Sequence, residues 1–93
     1  MNNIVLITTD GCQACKIQEN IIQKAISSYK DKYVINFQKD DFNDAKIIVE
    51  QLNISDFPTT ILIKDELYKY HFSGTCTKEN LMHLFDEFFI ENV

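Results

Sequence analysis

Glycine and proline are almost missing from this chain: two Gly and one Pro in 93 residues. So few of them argue against disorder, sequence repeats and all-β architectures built on many tight turns. Long apolar runs are missing too, and no stretch approaches the roughly 20 residues a membrane helix requires. Positive charge is in short supply, with nine Lys and Arg against 14 Asp and Glu and a formal charge of −5. That balance lacks the electrostatic footprint of a nucleic-acid binder and makes anionic membranes poor partners. The N-terminus, Met1 to Thr9, has no basic region, and its apolar run Ile4-Val5-Leu6-Ile7 is too short for a signal peptide. A cytoplasmic location is therefore expected. Cysteine is scarce and odd in number, three in all. In a reducing compartment such a set points away from a disulfide scaffold and toward catalysis or metal binding.

What is present suffices for one compact core. Apolar residues make up 45% of the chain, with seven Phe and four Tyr. A single domain over residues 1–93 is expected, burying about 60–65% of the surface its unfolded form exposes. Ile4 to Thr8 reads as a strand buried on both faces. Asp10-Gly11 breaks it, with Asp10 as a helix cap. From Gln13 to Tyr29 the apolar positions Ile17, Ile21, Ile22, Ala25, Ile26 and Tyr29 fall at helical spacing. Lys30-Asp31-Lys32 is a connection. Tyr33, Ile35 and Phe37 alternate as a second strand. Asp40 and Asp41 supply caps for a second helix with Phe42, Ala45, Ile48, Val49 and Leu52 on its apolar face. Thr59 to Ile63 is a β-branched strand, and Lys64-Asp65-Glu66 turns it into a partner holding Leu67, Tyr68, Tyr70 and Phe72. Gly74 ends that strand. Thr75 or Thr77 then caps a helix with Leu81, Leu84, Phe85, Phe88 and Phe89 along one face.

The order is β-α-β-α-β-β-α, an α/β class. Helices after the first two strands must cross over, which makes those strands parallel, while the last two are antiparallel. The apolar third strand belongs beside the first, with the more polar second and fourth strands at the edges.

The chemistry resides in Cys12-Gln13-Ala14-Cys15, where a buried strand gives way to a helix. A helix start offers unpaired N–H groups and the positive end of the macrodipole, both of which favour a thiolate. Cys12 at that start is the candidate nucleophile, and Cys15, one turn in and more buried, the candidate resolving thiol. Two other readings of the pair stay open at this point. It could be half of a zinc site, but the only further soft ligands, His71, His83 and Cys76, have no finger-like spacing. It could also be inert.

Cys12-x-x-Cys15-Lys16 after a buried strand, Phe57-Pro58-Thr59 opening the third strand and Gly74 after the fourth resemble the thioredoxin superfamily. The resemblance runs from Asn3 to Phe89, in the minimal form without an extra N-terminal strand and helix. It implies a thioredoxin-like four-stranded mixed sheet flanked by three helices. It also implies a thiol–disulfide oxidoreductase acting on protein or glutathione mixed disulfides through a redox-active Cys12–Cys15 pair. Pro58 is then expected to be cis and packed against the cysteines. Phe57, Pro58, Thr59 and Gly74 would line the substrate groove by strand-like pairing. No bound cofactor or metal is implied. Electrons would come from a thioredoxin-type reductase or from glutathione, and the protein would work as a monomer.

Departures from the superfamily's patterns divide its branches. Gly11 stands where thioredoxins carry an aromatic residue, Gln13-Ala14 where they carry Gly-Pro, and Leu6 where they bury an acid. Asp56-Phe57 and a lone Gly74 differ from the Thr-Val and Gly-Gly of glutaredoxins. The electron donor is thus unassigned, and a thioredoxin-like binding module without redox activity is the rival within the fold. Lys16 could add positive potential beside the thiolate or be a solvated helix residue. Cys76 is expected beside the active site, either as an accessory thiol or as a small half-buried residue ahead of the last helix. Asp40, Asp41 and Asp44 lack the Gly and terminal Glu of an EF-hand.

Overall fold

A computed structural model describes residues 1–29 and 34–90. Strand β1 (Asn2–Thr8) leads to helix α1 (Gln13–Tyr29) and strand β2 (Ile35–Asp41). Helix α2 (Lys46–Gln51), strands β3 (Thr59–Lys64) and β4 (Tyr68–Ser73) and helix α3 (Lys78–Phe85) follow. Tyr33 and the connection Lys30-Asp31-Lys32 lie outside the described residues.

The four strands form one sheet in the order β2-β1-β3-β4. β1 runs parallel to β2 and antiparallel to β3, which pairs antiparallel with β4. The order follows from burial. Ile4, Leu6 and Ile7 of β1 and Thr59 to Leu62 of β3 are buried, as central strands must be, whereas β4 is exposed except at Phe72 and Gly74 just beyond it. The second and fourth strands are the edges, as their polarity predicted.

One face of the sheet carries the main core. Ile4, Leu6, Ile35 and Leu62 meet Ile22, Ala25 and Tyr29 of α1, Leu81 and Phe85 of α3, and Phe89 of the π-helical turn Asp86–Ile90 that continues it. Each fully buried Ile, Leu or Phe contributes about 1.5–3 kcal/mol of apolar transfer. The Tyr29 hydroxyl lies 2.6 Å from Asp86 Oδ1 and 3.1 Å from the Met82 carbonyl, fastening the end of α1 to α3. Thr77 is the cap of α3, its Oγ1 accepting from the Asn80 N–H at 3.0 Å.

Several local expectations are corrected. Ile17 is 49% exposed, and the buried stripe of α1 is instead Cys15, Gln18, Ile22, Ala25 and Tyr29, spaced 3, 4, 3 and 4. Asp10 lies in an exposed turn ahead of α1, and the sulfur of Cys12 takes the capping role. β2 extends through Asp40 and Asp41. Asp41 caps a short 3₁₀ turn, Phe42–Asp44, by accepting from the Asn43 N–H at 3.0 Å, so α2 starts without a side-chain cap. Phe42, Ala45, Ile48, Val49 and Leu52 are only half-buried, which leaves α2 a shallow cover.

The hairpin turn is one residue later than the sequence pattern placed it. Lys64 still pairs with Tyr68, and Leu67 N–H closes the turn on the Lys64 carbonyl at 3.2 Å. Asp65 and Glu66 both adopt positive φ, 54° and 64°, as a type I′ turn demands of its central pair. Asp65 is tied further by the N-terminal ammonium, which donates to Oδ1 at 2.7 Å and with its charge holds this carboxyl below the usual range. Glu66 has no such compensation on a side chain ill suited to left-handed backbone. Glu66→Gly is expected to raise stability by about 1 kcal/mol, read as a Tm about 4–8 °C higher by thermal unfolding. An unchanged or lower Tm would mean the left-handed conformation costs nothing here.

Candidate active site

Strand register brings distant segments of the chain to one end of the sheet. Ile7 pairs with Thr59 and Thr8 with Asp41. The loop leaving β1, the 3₁₀ turn leaving β2 and the segment entering β3 therefore share that end. Thr59 also pairs with Ser73, which adds the loop leaving β4. Cys12, Phe42, Phe57-Pro58 and Gly74–Cys76 are gathered by this arrangement.

Cys12 stands immediately before α1 and Cys15 in its first turn, so only the second lies within the helix. Gly11, at φ +67°, makes the left-handed bend that feeds the chain into the helix. The two sulfurs are joined as a disulfide, with 5.2 Å between the Cα atoms. The Cys15 N–H donates to Cys12 Sγ at 3.0 Å, so this sulfur satisfies one of the open donors of the helix start. Cys12 is half-buried and Cys15 is 4% exposed. A cleft of about 180 Å³ beside the pair is lined by Thr8, Thr9, Asp10, Lys16, Glu19 and Lys39. Lys39 Nζ is 3.2 Å from Glu19 Oε1, which neutralises both, while Lys16 is exposed.

The Phe57–Pro58 peptide is cis and Pro58 is buried. The Pro58 carbonyl accepts from the Gly74 N–H at 2.8 Å, joining the entry of β3 to the exit of β4. Gly74 has φ +88°, a value that suits glycine. Thr59 is fully buried, and its Oγ1 donates to the Asp56 carbonyl at 2.6 Å and lies 3.2 Å from Ser73 Oγ. Phe57 is half-buried and packs on Phe42, the ring centroids 5.4 Å apart.

Gln18 and Thr60 are the residues of this region that sequence reasoning passed over. Both are fully buried, and Gln18 Nε2 donates to Thr60 Oγ1 at 3.1 Å. Gln18 Oε1 accepts from the Cys76 N–H at 3.1 Å, and its Nε2 lies 3.4 Å from Cys76 Sγ. Cys76 is accordingly half-buried and hydrogen-bonded. A signal was present: Gln18 is three residues after Cys15 and four before Ile22, on the stripe itself.

His71 on β4 and His83 on α3 are exposed. No three His, Cys, Asp or Glu side chains converge as metal ligands among the described residues. Nor is any helix there long and apolar enough to cross a membrane.

Solved structures share this architecture. Chloroplastic thioredoxin z is 15% identical with a TM-score of 0.75, over 94% of this chain and 77% of that one. Thioredoxin-2, a component of the malaria parasite protein secretion machinery, is 20% identical with a TM-score of 0.78, over 94% and 82%. Oxidised mitochondrial thioredoxin 3 from Saccharomyces cerevisiae is 21% identical with a TM-score of 0.74, over 92% and 77%. Among curated proteins no sequence matches. The sequence model described as Thioredoxin matches residues 2–87, nearly the full length and with the cysteine pair inside it: the chain belongs to the thioredoxin family.

Proposed function

We propose that the protein is a thiol–disulfide oxidoreductase that reduces protein or glutathione mixed disulfides. The observation that carries this reading is the closed Cys12–Cys15 pair at the start of a 17-residue helix, with the Cys15 N–H on Cys12 Sγ at 3.0 Å. Membership of the thioredoxin family supports the same reaction class.

In the reduced protein, the helix dipole and the Cys15 N–H both favour negative charge on the Cys12 sulfur. That thiolate attacks one sulfur of the substrate disulfide. A Cys12–substrate bond forms, the substrate S–S bond breaks, and the expelled sulfur leaves as a thiolate that takes up a proton. Cys15 then loses its proton and attacks Cys12, closing the protein disulfide and releasing the second substrate thiol. The substrate gains two electrons and two protons, and the protein ends in the oxidised state seen here. Exchange with a reductase or with glutathione runs the sequence backwards.

Burial orders the two roles. Cys12, the more exposed sulfur, meets the substrate, and Cys15, nearly enclosed, meets only Cys12. In this reading the half-buried Phe57 and Gly74 form the groove floor, and the buried Pro58 and Thr59 hold it from beneath. That corrects the expectation that all four line the groove; register brings them to the dithiol end. Lys16 adds positive potential from the cleft, screened by solvent. No bound cofactor is needed, and the expected setting is a reducing compartment such as the cytoplasm, with the protein working as a monomer.

Two assays test the reading and separate the donors: insulin with a thioredoxin reductase, and a glutathione mixed disulfide with glutathione reductase. Turnover is expected in at least one. Cys12→Ser should reduce it to background, and Cys15→Ser should accumulate substrate as a mixed disulfide detectable by non-reducing electrophoresis. Absence of turnover in both would sink the enzyme reading. The rate of Cys12 alkylation should rise with pH about a midpoint below the ~8.5 of a free thiol. A midpoint at that ordinary value would favour a binding module without redox activity.

A further inference from the structure

Between the dithiol helix and the groove rim lies a fully buried carboxamide that the exchange reaction does not use. Gln18 is on the same stripe of α1 as Cys15, one turn further in, and is 0% exposed. An amide in that position is held only by what it bonds. Its partners belong to two other segments: Thr60 Oγ1 in β3 at 3.1 Å, and Cys76 beyond β4 through the N–H at 3.1 Å and the sulfur at 3.4 Å.

Resting on the oxidoreductase reading above, we propose that Gln18 is a positioning residue for disulfide exchange. It fixes the Gly74–Cys76 rim of the groove against the helix that carries the dithiol, and in doing so withholds the third thiol from the reaction. The rim is fastened at two points. Gly74 N–H holds it to the Pro58 carbonyl at 2.8 Å, and Gln18 holds it from below at Cys76. The first bond sets the rim against β3 alone. The second sets it against α1, so it governs the distance between the groove and the sulfurs. The same contacts keep the Cys76 sulfur half-buried beside an amide. There the sulfur is held by the amide and is not free to attack a mixed disulfide at Cys12.

A protein substrate uses the rim, whereas a small disulfide needs only the half-buried sulfur of Cys12. Gln18→Met keeps the volume and removes the hydrogen bonds. The reduced variant is expected to react with insulin about tenfold more slowly, relative to its own rate with hydroxyethyl disulfide, than wild type does. In the oxidised protein, where Cys76 is the one free thiol, iodoacetamide should label Cys76 about tenfold faster in the variant. The pH midpoint of Cys12 alkylation should stay at the wild-type value, which general damage to the helix start would move. A wild-type insulin-to-small-disulfide ratio, a wild-type labelling rate or a displaced midpoint each overturns the proposal.

Should Gln18→Met fail to fold, the wild-type protein decides. Cys76 labelling is expected to be at least about 100-fold slower in the native oxidised protein than in urea, and equal rates overturn the proposal. A wild type inert toward both disulfides overturns the parent reading and this one with it. Wild-type turnover with an unaltered variant ratio overturns this one alone.

Discussion

The pairing of Ile7 with Thr59 is the constraint on which the site depends. β3 begins there and β1 ends one residue later, so an antiparallel neighbour delivers the segment Asp56–Pro58 to the place where the chain departs for Cys12. A shift of one residue in that ladder would send Thr60 and Leu62 to the opposite face, away from α1. It would also take Thr60 Oγ1 away from Gln18 of α1. Register is secured because both strands are buried on both sides and any slip exposes apolar surface. The central sheet thus does more than hold the core: it is the ruler by which the groove and the sulfurs are aligned.

At the end so assembled, the helix start has no side-chain oxygen to cap it, and a sulfur takes that place. In an ordinary helix the capping oxygen satisfies an orphan donor and remains chemically idle. Here the group that completes the helix is also the one that reacts in the exchange proposed above. In that proposal the favouring of a thiolate rests on the same bond that begins α1, together with the helix dipole. Lys39 is occupied by Glu19 and Lys16 extends into solvent, so neither substitutes for that bond.

Most of the architecture was legible because it rests on patterns of period two and period three to four. The strand order followed from relative apolarity, and the C-terminal face of Leu81, Phe85 and Phe89 from helical spacing. The cysteine pair was legible from its position between a buried strand and an amphipathic helix. What escaped were features decided by three-dimensional competition. Ile17 was assigned inward because it is apolar, yet the stripe through Cys15, Ile22 and Ala25 passes through Gln18, and geometry prevailed over hydrophobicity. Asp10 looked like a cap because aspartate usually is one, but a left-handed Gly11 and a capping sulfur intervene. The turn at Asp65-Glu66 was placed one residue early, and its left-handed backbone was not foreseen, because neither residue is the glycine that such a turn favours.

Gln18 also changes how the interior should be read. The buried polar side chains among the described residues are Gln18, Thr59 and Thr60, and none of them ionises. Gln18 bonds Thr60 and the Cys76 N–H, so the polar contacts between α1 and the sheet here are made by neutral groups. Neutral donors and acceptors can be fully satisfied in a dry site without the desolvation cost of a carboxylate. They also bring no titration of their own. In the exchange proposed above, the proton released by Cys15 then has no buried base to receive it, and the charged groups of the adjoining cleft, Asp10 and the Glu19–Lys39 pair, stand on the solvent side. The interior fixes positions, the helix start sets the charge on sulfur, and proton traffic is left to the open side of the molecule.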